Sequence, residues 1–215
     1  HFLPAAGHHW ALPLYDPFMK LLGGDATKEV LIRQANLQPA HRVLDIGCGT
    51  GTLAVLIKRL HPAVTVIGLD PDPQALARAS KKAARASASV QFEQGFADAL
   101  PYPDASFDRV FSSFMFHHLE AETKEKALRE VRRVLKPGGS LHLLDFGGPK
   151  KDSRGILARL FHSHHRLKDN FDDGIIAFMR RAGLAAPKEL SHRATLFGPI
   201  AYYEAGAATA ELSIA

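Results

Sequence analysis

Val43-Leu44-Asp45-Ile46-Gly47-Cys48-Gly49-Thr50-Gly51 is the stretch that decides the fold of this 215-residue chain. An apolar run interrupted by one acid leads into three glycines that alternate with small residues. Thr52-Leu53-Ala54-Val55-Leu56 then opens an apolar pattern of helical type. The expected sequence of events is a strand, a tight turn and a helix start. Glycine permits positive φ and lets a ligand approach the backbone. The first N–H groups of the helix have no partner inside it. The turn is therefore the place to expect a nucleotide-like ligand.

Working outward, strand-like and helix-like segments alternate. Arg42–Ile46 reads as the first strand and Thr50–Leu60 as the first helix. Ala63–Leu69 is a β-branched second strand, and Pro73–Ala86 is helical by its Ala, Lys and Arg content. Val90–Glu93 and Phe107–Ser112 are strands. Ala121–Leu135 carries apolar residues at Ala127, Leu128, Val131, Val134 and Leu135, the helical period. Lys136-Pro137-Gly138-Gly139 stops that helix, and Ser140–Asp145 is a further strand. Pro187–Arg193 and Thr195–Glu204 are separated by little, so they form a hairpin, with an antiparallel edge. The fold class expected is α/β: a doubly wound, Rossmann-like sheet of seven strands, mostly parallel, with an antiparallel C-terminal hairpin.

The length suits one domain over residues 1–215 with a full core. It divides into an N-terminal helical lid (1–36), a ligand-binding core (37–149), a basic helical cap of two helices (150–182) and the hairpin (187–204). No apolar run is long enough for a transmembrane helix, and the amino end has no signal-peptide pattern. The lone Cys48 cannot form an internal disulfide, which suits a cytoplasmic protein. Residues 150–193 hold ten Lys/Arg against five Asp/Glu, so the whole formal excess of +5 sits there. Such a patch favours anionic partners, whether an acidic small substrate, lipid head groups or nucleic acid; its plain alternative is a solvated helix face.

Two acids give the turn a ligand. Asp70 ends the second strand 23 residues after Gly47, where an acid accepts hydrogen bonds from ribose hydroxyls. Asp98, in Gly95-Phe96-Ala97-Asp98-Ala99-Leu100-Pro101, follows the third strand and faces the same crevice, where it can accept from an adenine amino group. The glycine spacing is Gly-x-Gly-x-Gly (Gly47, Gly49, Gly51), not the Gly-x-Gly-x-x-Gly of dinucleotide folds. Together these describe one adenosine-shaped ligand.

On these motifs the chain resembles the class I S-adenosylmethionine-dependent methyltransferases. Val43–Gly51 is similar to their first motif and Gly68-Leu69-Asp70-Pro71 to their ribose-binding strand end. Phe96–Pro103 with Ser106-Phe107-Asp108-Arg109-Val110 is similar to their adenine loop and fourth strand, and Leu135–Ser140 to the turn into their fifth. The resemblance covers about residues 40–147. Within the family the chain looks closest to small-molecule enzymes related to the quinone-biosynthesis C-methyltransferases, through Leu14-Tyr15-Asp16-Pro17-Phe18-Met19 and Gly198-Pro199-Ile200-Ala201-Tyr202-Tyr203. It departs from them where His117-His118 replaces their Arg-Asn pair. The Asn/Asp-Pro-Pro-aromatic signature of methylation at nucleobase or glutamine nitrogen is absent; Ser112-Ser113-Phe114-Met115 stands there.

The resemblance implies S-adenosylmethionine as methyl donor and S-adenosylhomocysteine as product. It implies Asp45 at the methionine amino end, Leu69, Ala97 and Ala99 around the base, and Ser112 and Ser113 beside the amino group. His117 and His118 fall where the methyl points, and either suits a general base. The acceptor expected is a small organic molecule, anionic or lipid-like, with room for peripheral membrane contact and a homodimer. No strong nucleic-acid signal is present. His162, His164 and His165 invite a metal reading, but without ligands from other elements none is expected; Arg154, Arg159 and Arg166 suit an anionic substrate or membrane surface instead. The rival functions are a nicotinamide-dependent oxidoreductase, a non-catalytic cofactor-binding regulator, and methylation of RNA or protein.

Overall fold

The computed structural model describes residues 24–148, 169–195 and 198–207. Its first helix, α1 (Gly24–Gln34), carries Asp25 in its first turn and Arg33 in its last, both favourable to the helix dipole. The glycine turn then joins β1 (Arg42–Ile46) to α2 (Thr52–Leu60). Next come β2 (Thr65–Asp70) and α3 (Pro73–Arg85). Asp72 caps α3 by accepting the Gln74 N–H at 2.8 Å, and Pro73 occupies the first turn, where no N–H is missed. The chain continues through β3 (Gln91–Gln94), β4 (Phe107–Ser113), a 3-10 turn (Phe116–His118), α4 (Ala121–Val134) and β5 (Leu135–Phe146). It closes with α5 (Gly174–Arg181), β6 (Ala185–Thr195) and β7 (Gly198–Gly206).

The seven strands form one sheet in the order β3-β2-β1-β4-β5-β7-β6. The first five are parallel, and β7 runs antiparallel to both β5 and β6. The strand order reverses between β1 and β4, and ligands of such sheets bind at the carboxyl ends beside that reversal. Ile46, the last residue of β1, pairs with Leu69 on one side and Ser112 on the other. The glycine turn, Asp70 and the segment after β4 therefore leave the sheet at the same edge.

Side-chain alternation splits the core into two layers. Leu44, Val110, Leu141, Leu143 and Tyr203 face α4 and α5. Val43, Phe111, Leu144 and Tyr202 face α1 and α2. The Tyr202 hydroxyl ties α1 to β7 by donating to the Thr27 carbonyl at 3.2 Å.

The sequence reading places these strands and helices within a few residues of their observed bounds, with one difference. The last parallel strand was expected to begin at Ser140, yet β5 begins at Leu135. Leu135 pairs with Phe107 before the register shifts, so the Lys-Pro-Gly-Gly turn is an irregularity inside the strand. The second cap helix is present as α5. The first, with His162, His164, His165, Arg154, Arg159 and Arg166, lies outside the described residues, as does the lid before Gly24.

Gly51 joins turn, helix and sheet. It has φ +74°, and a Cβ there would lie 2.7 Å from the Ala79 Cβ on α3 and 2.9 Å from the Phe92 ring on β3. Neither neighbour is a flexible chain end. Gly51→Ala is expected to lower unfolding free energy by about 3 kcal/mol, combining left-handed strain with overpacking. Urea unfolding checks it; a loss under ~1 kcal/mol would contradict the packing role.

Candidate functional site

The turn is held from below by β2. The Gly47 and Cys48 N–H groups both donate to the Leu69 carbonyl, at 2.8 and 3.0 Å. The Gly49 N–H donates to Asp70 Oδ2 at 2.8 Å, and the Asp72 N–H to Asp70 Oδ1 at 2.9 Å. Asp70 thus fastens the end of β2 to the turn, and each of its oxygens keeps a lone pair for a further donor. Burial raises its pKa, and the Asp72 and Gly49 N–H groups oppose that rise. Gly47 and Gly49, at φ +66° and +52°, are half-exposed along the turn, whereas Gly51 is buried. A Cβ at Gly47 would overlap the Met115 side chain, which lies over the turn from beyond β4. Leu69 has no exposed surface and its side chain lies against Gly95. Its backbone carbonyl anchors the turn.

Asp45 sits beneath the turn on the α1 and α2 side. It is 1% exposed, and among the described residues neither carboxylate oxygen has a partner in full hydrogen-bond geometry, although the Ala54 N–H on α2 helps to hold its charge. Burial pushes its pKa up to about 7; Lys28, also buried, pulls the other way, and Asp70 adds to the rise. Because the folded pKa exceeds the unfolded one, the protonated acid's contribution to stability is complete below about pH 4. It is lost as the pH rises through 7, costing at most about 4 kcal/mol. Without ligand, Asp45→Asn is therefore expected to be more stable than the unchanged protein at pH 8 and no more stable at pH 4. Denaturant titrations at both pH values measure this, and equal differences at the two would contradict it.

Cys48 packs against Gly68 within the turn. Burial, then the charges of Asp45 and Asp70, raise its pKa well above the thiol's ordinary value. Across the crevice, Asp98 is half-buried in a tight turn in which the Ala99 N–H donates to the Phe96 carbonyl at 3.3 Å. Ala97 is half-buried there, and Phe96 and Ala99 are exposed. Ser112 is buried at the end of β4 with its hydroxyl unpartnered, and Ser113 beside it is half-buried.

Past Met115 the 3-10 turn carries the two histidines. His117 Nδ1 lies 2.6 Å from Asp145 Oδ1, and the His117 N–H donates to Asp145 Oδ2 at 3.2 Å. Asp145 is completely buried near the end of β5. The His117 ring lies 4.0 Å, centre to centre, from that of His118 and 5.1 Å from that of Phe146. Asp145 was not foreseen as a site residue. Its signal is an acid directly after the apolar pair Leu143-Leu144, near the end of β5.

A second buried polar link lies behind the dyad. Lys124 on α4 is fully buried, donates to Asn170 Oδ1 at 2.7 Å and lies about 5.4 Å from the Phe116 ring centre. Asn170 donates in turn to the Phe146 carbonyl at 3.3 Å. Among the described residues no cluster of metal-ligating side chains forms, and no helix is long and apolar enough to cross a membrane.

Known proteins agree with this arrangement. A family described as "Methyltransferase domain" matches residues 43–139. The demethylmenaquinone methyltransferase of Deinococcus radiodurans is 39% identical over 155 residues, 71% of this chain and 64% of that one. Its namesake from Thermus thermophilus is 38% identical, covering 69% and 68%. The chain thus spans about two thirds of the length of these relatives. The crystal structure of the YcgJ protein from Bacillus subtilis superposes with a TM-score of 0.64 at 32% identity, covering 78% of this chain and 71% of that one. The [4+2]-cyclase SpnF shares the fold at a TM-score of 0.68 and 21% identity, covering 86% and 81%. The first motif, the reversed seventh strand and these relatives agree: the chain belongs to the class I S-adenosylmethionine-dependent methyltransferases related to those of quinone biosynthesis.

Proposed function

We propose that this protein transfers a methyl group from S-adenosylmethionine to a small organic acceptor. The observation that carries the reading is Asp45. It is a completely buried carboxylate whose oxygens have no partner in full hydrogen-bond geometry among the described residues, beneath a glycine turn whose Gly47 and Gly49 leave the backbone open. An orphaned buried acid is costly unless a cation reaches it, and the ammonium of the cofactor's methionine end supplies one. Asp70 takes the ribose hydroxyls with its remaining lone pairs. Asp98, with Ala97 and Ala99 about it, takes the adenine. The unpartnered Ser112 hydroxyl and Ser113 serve the amino end. When bound, the cofactor supplies an electrophilic methyl on a positively charged sulfur.

The residues do the positioning. Met115 covers the turn, and His117 and His118 follow it on the acceptor side. The relatives' acceptor, a demethylated menaquinone by their name, supports a small, ring-bearing and apolar molecule as substrate. An antiparallel β7 and the Gly-x-Gly-x-Gly spacing speak against a nicotinamide enzyme.

The test is calorimetry with S-adenosylmethionine and with NAD, followed by mass spectrometry of a cell extract incubated with the protein and methyl-labelled S-adenosylmethionine. Expected are binding of S-adenosylmethionine alone and one labelled product. Binding without transfer to any acceptor would leave a cofactor-binding regulator; no binding would overturn the reading.

A further inference from the structure

Residues 95–106 join β3 to β4 and carry Asp98 without a helix or strand of their own. Their shape is imposed by α4, through Glu130 and Arg133. The Arg133 guanidinium uses all of its N–H donors. Nη1 donates to the Tyr102 carbonyl at 2.7 Å and to Asp104 Oδ1 at 2.8 Å. Nη2 donates to the Leu100 carbonyl at 3.0 Å and to Glu130 Oε2 at 2.8 Å, and Nε donates to Glu130 Oε1 at 2.8 Å. Glu130 Oε2 in turn accepts the Leu100 N–H at 2.8 Å. Both backbone groups of Leu100, two residues after Asp98, are thus gripped by α4. The Arg133 carbonyl adds a further tie by accepting the Ala105 N–H at 3.0 Å.

The start of the loop is tied as well. The Gly95 N–H donates to the Asp70 carbonyl at 3.2 Å. Tyr102 is buried and donates from its hydroxyl to Glu93 Oε2 on β3 at 2.7 Å. Only the tight turn Phe96–Ala99 lies between Gly95 and Leu100, so where these anchors stand decides where Asp98 stands. Two charged residues three apart on a helix steady that helix by pairing with each other alone. Here three of the guanidinium's bonds leave α4 for the loop. A lysine, a point charge on a flexible stem, cannot make that planar fork.

We infer that Arg133, together with Glu130, is a positioning residue for base recognition: the pair holds the loop so that Asp98 stands ready for the amino group of adenine before the cofactor arrives. The inference rests on the methyl-transfer reading above, and it assigns the choice of base to two residues that touch no ligand. Because the carboxylate is placed in advance, binding need not order the loop. A base with a carbonyl oxygen where adenine has its amino group sets an acceptor against an acceptor and is rejected.

The test compares S-adenosylhomocysteine with S-inosylhomocysteine, which differ only at that edge of the base, by calorimetry. The unchanged protein is expected to bind the adenosine compound about 30-fold more tightly, the scale of one hydrogen bond to a charged group. Asp98→Ala is expected to reduce this preference below about fivefold. Arg133→Lys is expected to do the same, with S-adenosylhomocysteine affinity falling about tenfold and S-inosylhomocysteine affinity held within about threefold. A loss of stability alone would move the melt and leave the preference as it was. An Arg133→Lys protein that melts cooperatively and keeps the full preference therefore overturns the inference. Should that variant not fold, hydrogen exchange at the Leu100 amide of the ligand-free, unchanged protein decides. Slow exchange is expected, and exchange at the rate of an open loop overturns the inference. Failure of the underlying reading shows separately. The unchanged protein then binds neither compound, or Asp98→Ala leaves the preference intact, which removes Asp98 from the base and the inference with it.

Discussion

Asp70→Ala is expected to weaken S-adenosylmethionine binding about 1000-fold, the largest effect of any single change in the cofactor pocket. Two losses combine. The ribose hydroxyls lose a charged acceptor, and hydrogen bonds to charged groups contribute about 1.5–3 kcal/mol each. The Gly49 and Asp72 N–H groups lose the oxygens that hold them at 2.8 and 2.9 Å, so the turn relaxes away from the geometry the ligand needs. About 4 kcal/mol in all corresponds to roughly three decades in Kd. The fold should persist, since Leu69 still anchors Gly47 and Cys48 through its carbonyl. Calorimetric titration beside a thermal melt measures both. An affinity within tenfold of the unchanged protein, in a variant that melts cooperatively, would remove Asp70 from the ribose.

His117→Ala is expected to act on the other side of the crevice and on a different quantity. Turnover should fall by about 100-fold or more, the ordinary contribution of a positioned base. Cofactor affinity should change little, because His117 makes no hydrogen bond to the glycine turn or to Asp70. The substitution also leaves Asp145, completely buried, without its ring donor. Some loss of stability is expected, since a buried carboxylate that loses a partner is costly. Steady-state kinetics over a range of pH separates the two consequences. A variant that melts early but turns over at the normal rate would assign His117 a purely structural part.

The strands and helices were legible because this chain punctuates itself plainly. The β-branched run Val64–Ile67 and the alanine-rich Pro73–Ala86 leave little ambiguity of period, and Pro73 and Gly51 mark helix starts. Asp45 and Asp70 stand out in the sequence because a polar residue in or ending an apolar strand has few structural uses, and the structure places both at the glycine turn. The partner of His117 was not legible, because it lies 28 residues away on a neighbouring strand and meets the histidine only through sheet register. Lys124 carries a sequence signal of its own burial. It stands three residues before Ala127 and four before Leu128, on the apolar stripe itself, which marks a lysine destined for burial. Met115 over Gly47 had no such signal; its placement depends on Phe114, which enters the left-handed region at φ +54°.

The burial of Cys48 has a bearing on what this protein can be exposed to. A sulfonium methyl donor is an alkylating agent, and thiolates are the side chains it attacks most readily. The chain's only thiol stands between two of the glycines that would cradle that reagent. Packed against Gly68 and kept in the protonated form first by burial and then by the charges of Asp45 and Asp70, the sulfur offers neither charge nor ready access. The catalyst is in this way chemically inert toward its own reagent, and the same shielding should leave it indifferent to maleimides and to mild oxidants.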